Sequence, residues 1–202
     1  MRAPLIVIEG LDRTGKSTQT AKLCHRLNGF LVKFPNRETP IGKLLNQYLT
    51  DASNPMPLEV AHLLFSANRW EMVKNIEDLL SKGTPVVMDR YVYSGVAYSM
   101  AKGLDIEWCL APDKGLPKPD VTIFLKANDL DSISQREGFG EERYEVASLQ
   151  TSVRNNFEIL RSRYDEWKVI IIDGKDIDQV HEHIWELVCP LTRGVTTGLN
   201  RF

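Results

Sequence analysis

Gly10-Leu11-Asp12-Arg13-Thr14-Gly15-Lys16-Ser17 is the stretch that decides the fold. It is a glycine-bounded loop closed by Gly-Lys-Ser, and it fits the phosphate-loop pattern without a mismatch. An apolar, strand-type run, Leu5-Ile6-Val7-Ile8-Glu9, leads into it. A helical pattern over residues 16–28 follows and stops at Gly29. Strand, loop and helix in that order are the context the motif requires. The glycines let backbone N–H groups turn inward around phosphate oxygens, and the helix start adds the positive end of its dipole. Gly10, Asp12, Arg13, Thr14, Gly15, Lys16, Ser17 and Thr18 are therefore the candidate ATP-binding residues. Lys16 is expected to reach the β- and γ-phosphates, and the Ser17 hydroxyl to bind Mg²⁺.

Further apolar runs lie at residues 30–34, 85–89, 121–125 and 169–173. Most lack polar alternation, as strands buried on both faces of a parallel sheet do. Helical patterns fill the intervals at residues 41–49, 57–82, 92–102, 145–166 and 178–189. Alternation of this kind predicts an α/β doubly wound sheet. A length of 202 residues, with no internal repeat and no linker, predicts one domain over 1–202. Residues 131–143 are polar, with Gly138 and Gly140 near the centre, and read as a mobile loop. Residues 190–202 are weakly patterned and read as a loosely held tail.

The formal net charge of −2 provides no global basic field for nucleic acid. A substrate with several phosphates must be held by locally placed Arg and Lys. Cys24, Cys109 and Cys189 are an odd, sparse set, which argues for reduced, semi-buried thiols rather than a disulfide framework. The N-terminal apolar run is too short for a signal-peptide core, and no run is long enough to span a bilayer. A cytoplasmic protein with no membrane partner is the expectation.

Two strand ends carry arginines. Asp89-Arg90-Tyr91 ends one run and Phe34-Pro35-Asn36-Arg37 another. Asp89 suits the second magnesium-organising carboxylate, directly or through water, or else a strand-end salt bridge. In open α/β sheets ligands bind beyond the carboxyl ends of the strands, so Arg37 and Arg90 would converge there. A pair of guanidinium groups suits a phosphate monoester; for Arg37 alone, a surface role competes. Phe65 and Arg69 are one helical turn apart. They fit either a base-stacking ring with a donor to a base carbonyl, or a core ring with a surface cation, and the spacing alone does not identify thymine. Arg13 is either a solvated loop residue or a stabiliser of the transferring γ-phosphoryl group. Arg136 and Arg143 are outweighed nearby by Glu137, Glu141, Glu142 and Glu145, so this lid segment is no strongly basic clamp. That favours Arg13 as the catalytic cation.

At these residues the sequence resembles the thymidylate kinases, in the eukaryotic-type branch of the nucleoside-monophosphate kinases. The resemblance covers roughly residues 4–190 and runs in order through Ile8–Arg13, Ser17-Thr18-Gln19, Phe34–Arg37, Leu63–Glu71, Asp89–Tyr98, Gly115–Asp120 and Glu142-Arg143-Tyr144-Glu145. It implies a three-layer fold with a five-stranded parallel sheet, a homodimer and a lid at about 131–145. Asp12 would meet the sugar 3′-hydroxyl of dTMP, and Arg37 and Arg90 its phosphate. Phe65 would stack on thymine, Arg69 would donate to its O4, and Tyr98 would crowd C2′. Phe34, Gly95 and Tyr144 complete the implied dTMP set. Arg136 would lie on the adenine of ATP, bordered by Lys175. Glu137 and Gly138 depart from the family pattern beside Arg136, and the ending after Cys189 departs as well.

The implied reaction is in-line transfer of the ATP γ-phosphoryl group to the 5′-phosphate of dTMP, with Arg13, Lys16 and Asp89 catalytic. Two rivals differ in their needs. A deoxynucleoside kinase requires a carboxylate base near a 5′-hydroxyl and has less use for converging arginines. A non-catalytic nucleotide-binding regulator has no need of the intact Arg13, Lys16, Ser17 and Asp89.

Overall fold

The computed structural model describes residues 1–51, 53, 55–128, 143, 144 and 146–202. Most of the expected lid, including Arg136, lies outside the described residues. Five parallel strands form one sheet in the order β2-β3-β1-β4-β5. They are β1 (Leu5–Gly10), β2 (Phe30–Lys33), β3 (Val86–Asp89), β4 (Val121–Lys126) and β5 (Trp167–Ile171). The helices are α1 (Lys16–Leu27), α2 (Pro40–Thr50), α3 (Leu58–Trp70), α4 (Val73–Ser81), α5 (Val92–Met100), α6 (Ile106–Leu110), α7 (Ala147–Arg161) and α8 (Ile177–Val188).

The pleat of β1 sorts its side chains into two cores. Ile6 and Ile8 join Leu23 of α1 and Val180, Ile184 and Val188 of α8. Leu5 and Val7 join Ile76 and Leu80 of α4, Val92 and Val96 of α5, and Val153 and Phe157 of α7. The central sheet is thus sandwiched between helical layers, as an α/β fold requires. Among the described residues no helix is long and apolar enough to cross a membrane.

Burial on both faces holds for β1 and β3, which are buried throughout. It fails for β2 and β5, each with exposed residues, because they are the two edges of the sheet. The expected strand at 169–173 lies two residues earlier: Trp167 to Ile171 pair with Thr122 to Lys126. Asp173 has left the sheet, and its carboxylate accepts from Asn128 N at 3.0 and 3.2 Å.

The pattern over 57–82 is two helices. Met72 N bonds Arg69 O, three residues back, and the second helix restarts from Met72 O with Ile76 N. Glu71 at the break accepts from Asn68 Nδ2, 3.0 Å away.

The segment after residue 189 is held firmly, against the expectation of a loose tail. Arg2 and Val195 exchange backbone hydrogen bonds, Phe202 N donates to Leu116 O and Phe202 O accepts from Gly115 N, while Lys118 N donates to Asn200 O. Phe202 packs on Tyr91, Tyr93 and Tyr164 with ring centroids 5.3–6.3 Å apart. Weak periodicity was a poor guide because this anchoring is made by backbone pairs and one aromatic ring. Of the cysteines, Cys109 is buried and Cys24 intermediate, but Cys189 is exposed.

Candidate active site

A cavity of about 570 Å³ opens beyond the carboxyl ends of β1, β2 and β3. The loop after β1 forms one wall. Gly15 takes the left-handed conformation, φ 89°, at the N-cap of α1. Among the described residues no side chain caps this helix, and its first turn holds no acidic residue, which suits its N–H groups to an anion. Lys16 is 5% exposed, and its ammonium donates to Leu11 O. Burial, reinforced by the charge of Arg90, pushes the Lys16 pKa down to about 8. Ser17 Oγ donates to Asp89 Oδ2 at 2.6 Å. Among the described residues, Asp89 Oδ1 is buried without a hydrogen-bond partner.

The opposite wall begins at Arg90. Its φ of 68°, like the 62° of Arg13, lies in the left-handed region, at a cost on the order of 1–3 kcal/mol each. Glu9, fully buried on β1, holds the chain there by accepting from Tyr91 N at 2.9 Å, Ser94 N at 3.1 Å and Ser94 Oγ at 2.5 Å. It serves as the cap that α5 lacks from its own residues. Arg90 is thereby turned back over the loop, where it pairs with Asp12 and donates to Gly10 O at 3.3 Å.

Asp12 is the hub between the walls. Besides Arg90 it accepts from Tyr98 OH at 2.6 Å and Gln150 Nε2 at 2.7 Å. Burial pushes its pKa up, but Arg90, Lys16, Tyr98 and Gln150 outweigh that and hold it below the ordinary carboxylate value.

Farther out, Phe34, Arg37, Phe65, Arg69, Gly95, Tyr98 and Tyr144 line the same cavity. Arg37 Nη1 donates to Asn46 Oδ1 of α2 at 2.9 Å. Arg69 is no surface cation: it is 2% exposed and forked onto Asp113, Nη2 to Oδ2 at 2.6 Å and Nε to Oδ1 at 3.1 Å. A Cβ on Gly95 would lie 2.7 Å from Arg69 Nη1, so only glycine there admits the guanidinium. Tyr144 OH accepts from Lys102 Nζ at 2.7 Å and lies 3.1 Å from Tyr48 OH. Seven cationic side chains, Arg13, Lys16, Lys33, Arg37, Arg69, Arg90 and Lys102, thus line one cavity in a chain whose net charge is −2.

Thr18 also lines the cavity; Gly10, Thr14 and Lys175 do not. Lys175 Nζ donates to Ile171 O at 2.8 Å. Its loop leads into α8, whose Ile177 O accepts from Gln19 of α1 at 2.8 Å.

The thymidylate kinase family model matches residues 8–184. The chain belongs to the thymidylate kinase family. It is 46% identical to the thymidylate kinase of Schizosaccharomyces pombe over 195 residues, which span 93% of this chain and 92% of that one. It is 45% identical to the Homo sapiens thymidylate kinase over 190 residues, 91% and 88% of the two chains. A solved structure of thymidylate kinase from Candida albicans superposes with a TM-score of 0.93 at 45% identity, covering 100% of this chain and 98% of that one. The dTMP kinase activity follows from this membership, and the sheet order is that of a P-loop kinase.

Sequence reading missed several residues that support this thymidylate kinase site. Asp113, Gln150 and Glu9 hold Arg69, Asp12 and the start of α5. Asp113 lies two residues before Gly115, where the Gly115–Asp120 stretch begins, but nothing in its spacing points to a partner 44 residues away.

Proposed function

We propose that this cavity transfers the γ-phosphoryl group of ATP to the 5′-phosphate of dTMP, with both substrates bound in one cleft. The observation that carries this reading is the junction at Asp12: one carboxylate ties the phosphate loop to Arg90, Tyr98 and Gln150. The donor lies on the Gly10–Thr18 loop, its phosphates held by backbone N–H groups and Lys16. The acceptor phosphate lies between Arg37 and Arg90, each able to grip two oxygens. Phe65 stacks on the base, the free edge of Arg69 donates to O4, and Asp12 accepts from the sugar 3′-hydroxyl. Phe34, Gly95 and Tyr144 complete the acceptor cleft, and Tyr98 narrows the space at C2′. Arg136 and Lys175 border the adenine.

An acceptor phosphate oxygen attacks the γ-phosphorus as the bond to the β–γ bridging oxygen breaks, giving dTDP and ADP. The attacking oxygen is already anionic, so no general base is needed. Arg13 neutralises charge on the transferring group, and the remaining catalysis is positioning.

The residues fit Mg²⁺. Asp89 Oδ1 is a buried, unpartnered carboxylate oxygen beside the Ser17 hydroxyl, and Mg²⁺ is commonly held by one or two protein oxygens plus substrate phosphates. When bound there, the ion would offset negative charge on the phosphates. Homodimerisation belongs to the same proposal. Val60, Leu63 and Trp70 are 41–46% exposed at helical spacing on α3, an apolar face suited to a second copy.

Arg13→Ala tests the assignment of the catalytic cation. Turnover should fall at least about 10²-fold while dTMP still binds. Near wild-type turnover would remove Arg13 from the reaction.

A further inference from the structure

Asn68 of α3 is fully buried and does not line the cavity, yet its amide has four partners. Its Oδ1 accepts from Asn36 N at 2.7 Å. Its Nδ2 donates to Asn36 O at 3.0 Å, Thr39 Oγ1 at 2.8 Å and Glu71 Oε2 at 3.0 Å. A backbone N–H only donates and a backbone carbonyl only accepts, so Asn36 fixes which way the amide faces. The side chain thus pairs with Asn36 as a residue of a neighbouring strand would.

Asn36 directly precedes Arg37, and its own Oδ1 accepts from Glu38 N at 3.1 Å, on the far side of Arg37. The Arg37 backbone is therefore held between two residues that hang on Asn68. Thr39, the third partner, caps α2 by accepting from Gly42 N at 3.0 Å. That helix carries Asn46, which accepts from the Arg37 guanidinium. Both ends of Arg37, backbone and guanidinium, thus trace back to one buried amide. Arg69, the next residue of α3, lines the cavity over Gly95. Consecutive residues of one helix so serve the two ends of the cleft: Asn68 the arginine assigned to the acceptor phosphate, Arg69 the base.

We infer that Asn68 is a positioning residue that sets the reach of Arg37 relative to Arg69, and with it the grip on the acceptor phosphate. The inference rests on the proposed seating of that phosphate between Arg37 and Arg90. Its effect is confined to the phosphate, because Asn68 acts through the loop of residues 36–39 and not through the groups assigned to base and sugar.

The test compares dTMP with thymidine, which has the same base and sugar without the phosphate. Both dissociation constants are measured by calorimetry, that of thymidine by competition against dTMP, on wild type, Asn68→Ala, Arg37→Ala and the double variant. Both ligands meet the same preparation, so a misfolded fraction cancels from their ratio. Asn68→Ala should weaken dTMP about tenfold, as misplacing a binding group does, and leave thymidine within about twofold. Added to Arg37→Ala, it should change neither constant, because the two residues act as one unit. Glu71→Ala removes one anchor of the amide at an exposed position, and should shift the ratio the same way by a smaller factor. Equal weakening of dTMP and thymidine by Asn68→Ala overturns the inference, as does an unchanged ratio. Should Asn68→Ala not fold, an unchanged ratio in Glu71→Ala overturns it instead. If Arg37→Ala itself keeps the wild-type ratio, the seating of the phosphate fails; if Arg37→Ala lowers the advantage of dTMP and Asn68→Ala does not, this inference alone fails.

Discussion

Arg69 and Asp113 form a two-point ion pair at 2% and 0% side-chain exposure, joining α3 to the turn after α6. The fork fixes the plane of the guanidinium and leaves its Nη1 edge over Gly95. Breaking a buried pair from one side strands a charge, at about 3–5 kcal/mol. Asp113→Ala should therefore lower unfolding free energy in urea by about that amount. It should also raise the dTMP KM more than the ATP KM. An unchanged urea midpoint would show that the pair contributes nothing.

Lys16 gives the free enzyme a pH signature. Its ammonium is the form that holds phosphate, and its pKa of about 8 lies below the ordinary lysine value because burial and Arg90 disfavour the charge. ATP phosphates favour the charge, so binding must take up a proton above pH 8. The ATP dissociation constant should be flat near pH 7 and rise toward about tenfold per unit above 8. Titration calorimetry at pH 7 and 9 checks this; equal constants would contradict it.

Tyr98 lines the cavity, its hydroxyl 2.6 Å from Asp12 Oδ2. Tyr98→Ala should relax the preference for dTMP over its ribonucleotide analogue. Competition between the two acceptors measures it, and an unchanged preference would contradict a steric role at C2′.

What could be read in the sequence was local. Gly10–Ser17 declared itself because a phosphate cradle is built from consecutive residues, and Asp89-Arg90 because a strand end is visible as such. Phe65 and Arg69 were legible as one helical face, but not the burial of Arg69, which depends on Asp113. The hub at Asp12 needs Gln150, 138 residues away, and Tyr98, 86 residues away. No periodicity encodes such pairings. The anchoring of Phe202 escaped notice for the same reason.

That anchoring is testable. Phe202 touches Tyr91, the neighbour of Arg90, and is partly exposed. Phe202→Ala should destabilise the fold by about 1–3 kcal/mol, below the range for fully buried Phe. Urea denaturation measures the loss, and wild-type stability would mean the tail packs without effect.

The most direct test of the single two-substrate cleft is ADP release in the presence of ATP, Mg²⁺ and a panel of acceptors. ADP should appear with dTMP in one-to-one yield with dTDP, and not with thymidine, which lacks the phosphate for Arg37 and Arg90. Phosphorylation of thymidine as efficient as that of dTMP would contradict the account.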